Sequence, residues 1–175
     1  MHILITVVMV AAVIAALAVL ALLIGMFLPE KHVAEMGCYL DASPEKVWDL
    51  IANFEAQPKW RTNIQRVERL PDHHGNEVWR EVEGKNRQLS YETVKFSPPH
   101  LLVRRIVDEG LPFGGSWTFE ITSEGRGAQL RIIERGEVHN LLFRFVSKVI
   151  IGHTATMRQY LNNLQRALKS QSVAA

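Results

Sequence analysis

Hydrophobic and polar positions divide the chain into an apolar N-terminal run and a longer, patterned remainder. Residues 3–28 contain no charged side chain, and at about 1.5 Å of rise per residue a helix of this length spans the roughly 30 Å hydrocarbon core of a bilayer. A cleaved signal peptide is the alternative, but such peptides have an apolar core of about 7 to 15 residues behind a basic start. Here the polar residue before the run is His2. We therefore predict a transmembrane anchor over residues 1–29, followed by one domain over residues 30–175.

The placement of lysines favours the cytoplasmic side for this domain. No Lys or Arg precedes the apolar run, whereas Lys31 and Lys46 follow it, and positive charges close to a span mark its cytoplasmic end. The single cysteine, Cys38, excludes an intrachain disulfide and fits either compartment. The predicted location is a membrane, crossed once.

A short amphipathic helix is predicted directly after a first strand over residues 30–40. Ser43 is a residue type that caps helices, and Pro44 suits the first turn, where no N–H is needed. An apolar stripe at helical spacing follows, formed by Val47, Leu50, Ile51 and Phe54.

Six stretches with strand-like patterns come next. The segments between them, such as "PDHHGN" and "EGLPFGG", are rich in Gly, Pro, Asp or Asn, so consecutive antiparallel hairpins are the simplest pairing. The predicted strands cover residues 63–70, 77–84, 88–96, 100–108, 115–123 and 128–138. In the strand over 115–123 one face is apolar and must be buried against another element.

The last segment, residues 141–170, predicts one long amphipathic helix that can supply this cover. Apolar residues recur there at steps of three and four, with basic and amide side chains opposite. The apolar stripe is formed by Leu142, Val146, Val149, Ile150, His153, Met157, Leu161, Leu164 and Leu168. At about 1.5 Å per residue such a helix is long enough to cross the whole sheet.

This order of elements resembles the α+β helix-grip fold of the START-related (SRPBCC) superfamily, which includes polyketide cyclases, lipid-transfer domains and the birch-pollen allergen family. The resemblance spans residues 32–169, and its local marks are "DASPEKVWDLIANFEAQPKW" and "GLPFGGSWTFEI" leading through "RIIERGEV" into the final helix. It implies a curved antiparallel sheet around a long C-terminal helix, with a hydrophobic ligand between them. Members of the superfamily share no common catalytic residues, so the resemblance transfers none.

Charge and motifs exclude several classes of function. The net charge is +2, and no basic stripe with interleaved aromatic residues predicts nucleic-acid binding. No phosphate loop, dinucleotide fingerprint, Gly-x-Ser-x-Gly elbow or His-Glu-x-x-His motif occurs. The adjacent His73 and His74 lack an obvious third ligand for a metal. We therefore predict neither a cofactor nor a metal site.

Glu134 interrupts the apolar face of the last predicted strand, between Ile132 and Gly136. An ionised carboxylate buried without a partner is costly. Three arrangements avoid this cost. Glu134 forms an ion pair with an arginine such as Arg105, a bulge near Gly136 turns it outward, or it lies in a ligand cavity and contacts a ligand or acts as an acid.

Other candidate ligand-binding residues come from the final helix and the sheet. His153 lies within the apolar stripe beside Gly152, which leaves space, and Met157 lies one turn further on. Trp117 and Phe119 are on the dry face of their strand, and Arg105 is named although both faces of its strand are mixed. Trp79, Tyr91 and Tyr160 are weaker candidates for a pocket wall. A packed core is the simpler role for the aromatic residues, as a hydrogen-bonded core histidine is for His153.

Three functions fit these patterns. The first is membrane-tethered binding or transport of a hydrophobic small molecule that resembles a lipid, quinone or polyketide. The second is a cyclase or dehydratase that uses Glu134 and His153 as acid and base. The third is a membrane-bound scaffold with a filled interior, with Ile151 as its anchor for a partner.

Overall fold

The computed structural model describes residues 2–84, 87–152 and 154–173 of the chain. The helices are α1 (His2–Phe27), α2 (Pro44–Ala52), α3 (Leu141–Phe145) and α4 (Ala155–Val173), with a 3-10 helix over Phe54–Lys59 and a π-helical turn over Val146–Ile151. The strands are β1 (Lys31–Leu40), β2 (Ile64–His73), β3 (Asn76–Glu83), β4 (Arg87–Ser97), β5 (Leu101–Ile106), β6 (Phe113–Glu124) and β7 (Gly127–Val138).

The seven strands form one antiparallel sheet in the order β1-β7-β6-β5-β4-β3-β2. Strands β2 to β7 follow one another through consecutive hairpins, as the turn chemistry predicts. Strand β1 then pairs with β7, so that Lys31 lies opposite Glu137 and Leu40 opposite Ala128. The predicted helix-grip fold is confirmed: a curved antiparallel sheet is covered by a C-terminal helix.

The connection between β1 and β2 begins as the capping residues predict. The Ser43 side chain accepts a hydrogen bond from the Lys46 backbone N–H, and Pro44 opens α2. Val47 and Ile51 of α2 are fully buried. The core between α2, α4 and the sheet also contains Leu40, Phe54, Leu102, Phe119, Ile121, Leu130, Ile132, Met157, Leu161 and Leu164.

The prediction of one unbroken helix over residues 141–170 is wrong. The first part consists of α3 and the π-helical turn, which ends at Gly152 with φ +78°. A left-handed φ at this position terminates a right-handed helix, and glycine adopts it without steric cost. The long helix is therefore α4, with 19 residues.

Helix α1 is long and apolar enough to cross a membrane by length and composition. Of its residues, Ala21 and Gly25 are buried, and the others are exposed. A Cβ on Gly25 would lie 2.2 Å from the carbonyl oxygen of Leu141, so glycine permits α1 to pack closely on the start of α3.

Candidate ligand-binding site

A cavity of about 620 Å³ lies between the sheet and the C-terminal helices. This volume is within the range of about 300–1,000 Å³ that is usual for small-molecule sites. Its apolar lining includes Ile51, Leu102, Ile106, Phe113, Phe119 and Phe143. The cavity is at odds with the scaffold hypothesis, which requires a filled interior, and the side chain of Ile151 lies outside the described part of the chain.

Three neighbouring strands place Arg104, Trp117 and Glu134 in one row on the cavity face of the sheet. Arg104 of β5 lies opposite Trp117 of β6, which lies opposite Glu134 of β7. Neighbouring strands are about 4.8 Å apart, so the two ends of this row are roughly 10 Å apart. We call these three residues the polar row.

The polar row separates packed core from the more open part of the cavity. On one side the next inward residues are Leu102, Phe119 and Ile132, which are almost completely buried. On the other side the inward positions of β6 and β7 are Gly115 and Gly136, which face each other across the strands. Neither glycine adds a side chain to the cavity wall, and both line the cavity.

Glu134 faces the interior and is bound by two side chains. The Trp117 indole N–H donates to Glu134 Oε2 at 2.7 Å, and His32 Nε2 lies 3.0 Å from Glu134 Oε1. The imidazole of His32 occupies space above Gly136, where a Cβ would lie 2.2 Å from its Cε1 atom. Glu134 therefore lines the cavity and is paired with His32 and Trp117 rather than with an arginine such as Arg105, and a role in binding or acid chemistry stays a prediction.

A buried cluster of charge adjoins the other end of the polar row. Arg104 Nη1 donates to Glu81 Oε1 at 2.6 Å, and Arg61 Nη1 donates to Glu81 Oε2 at 2.8 Å. Arg61 Nη1 also donates to Gln57 Oε1 at 2.6 Å. Two guanidinium groups therefore share one carboxylate, and we call Arg61, Glu81 and Arg104 the arginine–glutamate triad.

Aromatic rings complete the surroundings of the triad. The Arg104 guanidinium carbon lies 4.3 Å from the centroid of the Phe54 ring and 4.8 Å from that of Tyr91. The Arg61 guanidinium carbon lies 5.1 Å from the centroid of the Tyr160 ring. These cation–π contacts are favourable where water is excluded, and they hold both arginines against the cavity wall.

The protonation states in the triad follow from burial and charge. Burial alone would raise the pKa of the Glu81 carboxyl, but Arg61 and Arg104 outweigh this effect and lower it below the ordinary value. Burial raises the pKa of the Tyr160 phenol. Glu81 is therefore an anion between two cations at neutral pH, and Tyr160 is a neutral phenol that can donate a hydrogen bond.

Several polar atoms of this group have no hydrogen-bond partner among the described residues. They are Arg61 Nε, Arg104 Nε, Arg104 Nη2 and the Tyr160 hydroxyl. Arg104 is 6% exposed and Tyr160 is 5% exposed. Buried donors are satisfied in most proteins, and four of the eight unpartnered buried side-chain atoms in the described residues belong to this group.

The predicted site residues have different outcomes. Glu134, Trp117 and Phe119 line the cavity, and their contact with a ligand stays a prediction. Met157 is 0% exposed and belongs to the packed core. His153 lies outside the described residues.

The prediction for Arg105 is wrong. Its side chain is on the opposite face of β5 and half exposed, and its Nε donates to Glu92 Oε1 at 2.7 Å. Arg104 is the inward arginine of this strand. Hydrophobic alternation did not decide between the two, because both faces of β5 mix apolar and charged residues.

Sequence reasoning also missed Arg61, Glu81 and His32 as cavity residues. Alternation in β3 points to Val78 and Val82 as the inward residues, but both are buried on the face opposite Glu81. The weaker candidates Tyr91 and Tyr160 line the cavity, whereas Trp79 packs on Phe54 with ring centroids 5.7 Å apart. The positions of Arg61, Glu81 and His32 on the cavity wall depend on strand register and on pairing between distant elements, so hydrophobic alternation gave no signal for them.

The C-terminal end of α1 is held against the cavity wall by Arg144 of α3. The buried Arg144 guanidinium donates to the carbonyl oxygen of Val138 at 2.9 and 3.0 Å. It also donates to the carbonyl oxygens of Leu28 at 3.1 Å and Gly25 at 3.5 Å. Carbonyl groups at the end of a helix lack intrahelical donors, and a cation there is favoured by the helix dipole.

This contact joins α1 to one end of the cavity. Phe113 and Phe143 stack there with ring centroids 5.4 Å apart, and both line the cavity together with Val138. We call Phe113, Val138 and Phe143 the α3 end of the cavity. The end of the apolar helix and the aromatic end of the cavity are therefore neighbours.

One cluster of possible metal ligands is present in the described part of the chain. It consists of Glu30, Glu137 and His139, whose ligand atoms lie within 4.8 Å of one another. Glu30 already lies 3.6 Å from Arg144, and Glu137 lies 3.4 Å from Lys31. Because nearby cations balance these carboxylates, we assign no metal to them.

Comparison with known families identifies the class of protein that this fold and cavity define. Residues 33–169 match the sequence model of the polyketide cyclase / dehydrase and lipid transport family. The match covers most of the chain, and the chain belongs to this family. No curated protein matches the sequence.

Solved structures share the fold at low sequence identity. The Zhui aromatase/cyclase from Streptomyces sp. R1128 superposes with a TM-score of 0.66 at 13% identity, over 81% of this chain and 96% of that chain. A START superfamily protein from Mycobacterium smegmatis has a TM-score of 0.66 at 16% identity, over 80% and 99% of the two chains. Norcoclaurine synthase from Thalictrum flavum has a TM-score of 0.64 at 11% identity, over 81% and 96%.

Proposed function

We propose that the chain binds or transports an apolar small molecule, such as a lipid, quinone or polyketide-like compound, in the cavity between the sheet and the C-terminal helices. Residues 1–29 anchor it in a membrane, and residues 30–175 form the ligand-binding domain, on the cytoplasmic side that Lys31 and Lys46 favour. The observation that carries the proposal is the cavity of about 620 Å³ with its largely apolar lining. Membership of a family described by cyclisation, dehydration and lipid transport supports it.

The packing of α1 suggests how the ligand reaches the cavity. Apolar molecules partition into bilayers, so the membrane is their reservoir. Arg144 binds the end of α1 next to the α3 end of the cavity. If α1 spans the membrane, this contact brings Phe113, Val138 and Phe143 close to the membrane surface. Short tethering raises the effective concentration of a ligand at its site.

The first test uses the full-length chain. We expect it to remain in membranes washed with alkaline carbonate, with residues 1–29 still present by intact mass spectrometry. Organic extraction of the purified protein should then release an apolar compound that mass spectrometry detects. A processed N-terminus would contradict the anchor, and the absence of an extractable compound would contradict the carrier.

Two tryptophan substitutions on β5 test whether the compound occupies the cavity. Ile106 lines the cavity, whereas Val103 lies on the other face of the same strand and is also half-buried. Ile106→Trp should lower the amount of extracted compound several-fold because the indole fills the binding volume, and Val103→Trp should leave it unchanged. Equal amounts from both variants would place the compound elsewhere, for example on α1.

A cyclase or dehydratase is the second candidate, and one observation favours it. His32 and Glu134 form an imidazole–carboxylate pair at 3.0 Å on the cavity wall, which is a suitable arrangement for general acid–base chemistry. If the chain converts a linear poly-β-ketone, as judged by chromatography and mass spectrometry, Glu134→Gln should abolish conversion and leave ligand uptake nearly unchanged. Conversion at the wild-type rate by this variant would rule out Glu134 as the acid or base.

A further inference from the structure

The arginine–glutamate triad has a net charge of +1. Arg61 and Arg104 share the single carboxylate of Glu81, and all three residues line the cavity. Other carboxylates on the cavity wall have their own partners: Glu83 lies 3.2 Å from Arg87, and Glu134 is bound by His32 and Trp117. The excess charge of the triad is therefore not balanced by these groups.

Three donor atoms of the triad and the neighbouring Tyr160 hydroxyl lack a hydrogen-bond acceptor in the part of the chain that the structure describes. Arg104 Nε, Arg104 Nη2, Arg61 Nε and the Tyr160 hydroxyl have no partner within the described residues. A buried donor without an acceptor costs free energy, and a buried ion triad is itself a weak source of stability compared with apolar packing. These atoms are buried from the cavity as well as from bulk solvent, so a ligand that supplies negative charge and acceptor atoms would remove both costs after a shift of the side chains that cover them.

We propose that the polar end of the ligand is a carboxylate, which binds to Arg104 and the Tyr160 hydroxyl beside the polar row. This inference rests on the proposed function, because it assumes that the cavity holds a ligand. A guanidinium group binds a carboxylate with two parallel N–H donors, and a phenol adds a third. The ligand class is thus an apolar molecule with one acidic head group.

The lining of the cavity gives this ligand a direction. Arg104 lies at the packed floor, next to Leu102 and Phe119. Toward the α3 end the lining includes the apolar residues Ile106, Phe113, Val138 and Phe143, beside the polar residues Ser116, Glu137 and Ser147. The carboxylate therefore binds at the floor, and the apolar tail extends toward the α3 end.

Two photoreactive probes that differ only in their head group test this assignment. A diazirine-bearing palmitic acid and its methyl ester are titrated onto the full-length chain in lipid nanodiscs, at about pH 9, where a carboxylic acid is ionised. Labelling is counted by mass spectrometry on peptides that line the cavity. We expect the acid to half-saturate these peptides at a concentration about tenfold or more below that of the ester, since hydrogen bonds to charged groups have about this effect.

Tyr160→Phe is the most informative variant. It removes a hydroxyl that has no partner in the described part of the chain and keeps the ring contacts with Trp60, Trp117 and Phe119. The melting temperature should not fall, and the half-saturating concentration of the acid should rise about tenfold while that of the ester stays constant. Arg104→Gln should act in the same direction more strongly.

Arg131→Gln is the matched control. Arg131 is a half-exposed arginine on the outer face of β7 that also pairs with two carboxylates, Glu35 and Glu120. This variant should keep the wild-type preference for the acid. Equal labelling by acid and ester in the wild type, or equal weakening of both probes in Tyr160→Phe, would overturn the head-group assignment. Failure of both probes to label the cavity would instead overturn the proposed function.

Discussion

At the scale of single residues, Glu81 is a buried anion that balances two buried cations. Its side chain is 5% exposed and lies between two guanidinium groups at 2.6 and 2.8 Å. These contacts lower the pKa of its carboxyl even though burial acts in the opposite direction. Loss of this one anion would leave two buried cations facing each other, so Glu81 holds the cavity floor together.

Glu81→Gln should therefore destabilise the chain at neutral pH by about 3–5 kcal/mol, the usual cost of breaking a buried ion pair. The effect depends on pH. The folded-state pKa is below the ordinary value of 4.5, so the unfolded chain takes up the proton first as the pH falls, and the wild type loses this contribution. The difference in unfolding free energy between wild type and variant should narrow as the pH falls from about 5 through the folded-state pKa.

Urea unfolding in detergent, followed by tryptophan fluorescence, measures this difference. Glu120→Gln is the control, because Glu120 is an exposed partner of Arg131 at 3.3 Å, and exposed pairs contribute at most about 1 kcal/mol. A Glu81→Gln variant as stable as Glu120→Gln at neutral pH would contradict the role of Glu81 at the cavity floor.

The residues that sequence could identify are those on strands with one clearly apolar face. Trp117, Phe119 and Glu134 lie on β6 and β7, where alternation is regular, and the structure places all three on the cavity wall. Arg104 and Glu81 lie on strands with two mixed faces. Their orientation depends on the pairing of each side chain with a partner from a distant strand, and alternation within one strand contains no information about that pairing.

At the scale of elements, the roof of the cavity differs most from its sequence pattern. Apolar residues recur at three and four residue steps throughout 141–170, but the helix is divided at Gly152. Periodicity reports which face is buried and does not report a single glycine that leaves the helical region. As a result α3 and the π-helical turn form one segment of the roof, and α4 forms another.

Arg144 is the link between the first roof segment and α1. Arg144→Gln removes a guanidinium that donates to the carbonyl oxygens of Val138, Leu28 and Gly25, so the contact between α1 and α3 should loosen. We expect hydrogen exchange of full-length protein in nanodiscs to rise at least several-fold in peptides covering residues 24–31 and 138–147. Each hydrogen bond to a charged group contributes about 1.5–3 kcal/mol.

Arg158→Gln provides the comparison, because Arg158 is an exposed arginine of α4. It should leave exchange in both peptides at the wild-type rate. The same exchange profile in Arg144→Gln and Arg158→Gln would mean that α1 and α3 do not depend on this contact.

At the scale of the whole molecule, the sequence pattern predicts the order of the elements but does not predict the cavity. Turn chemistry predicts the run of hairpins from β2 to β7, and the resemblance to the START-related superfamily predicts how the C-terminal helix covers them; both are confirmed. The cavity could be expected only through that resemblance. Hydrophobic patterns show which side chains leave water, but an apolar wall around a void and an apolar wall around other side chains have the same pattern.

If the proposed acid enters from the membrane beside α1, the position of Arg104 at the cavity floor requires its carboxylate to enter before its apolar tail. In a bilayer leaflet, acids of this type keep their charged group at the aqueous surface and their chain toward the midplane. A domain standing above that surface meets the charged group before the chain. The ligand would therefore enter the cavity in the orientation that it has in the leaflet, without turning over. On release along the same path, its tail would return to the leaflet first.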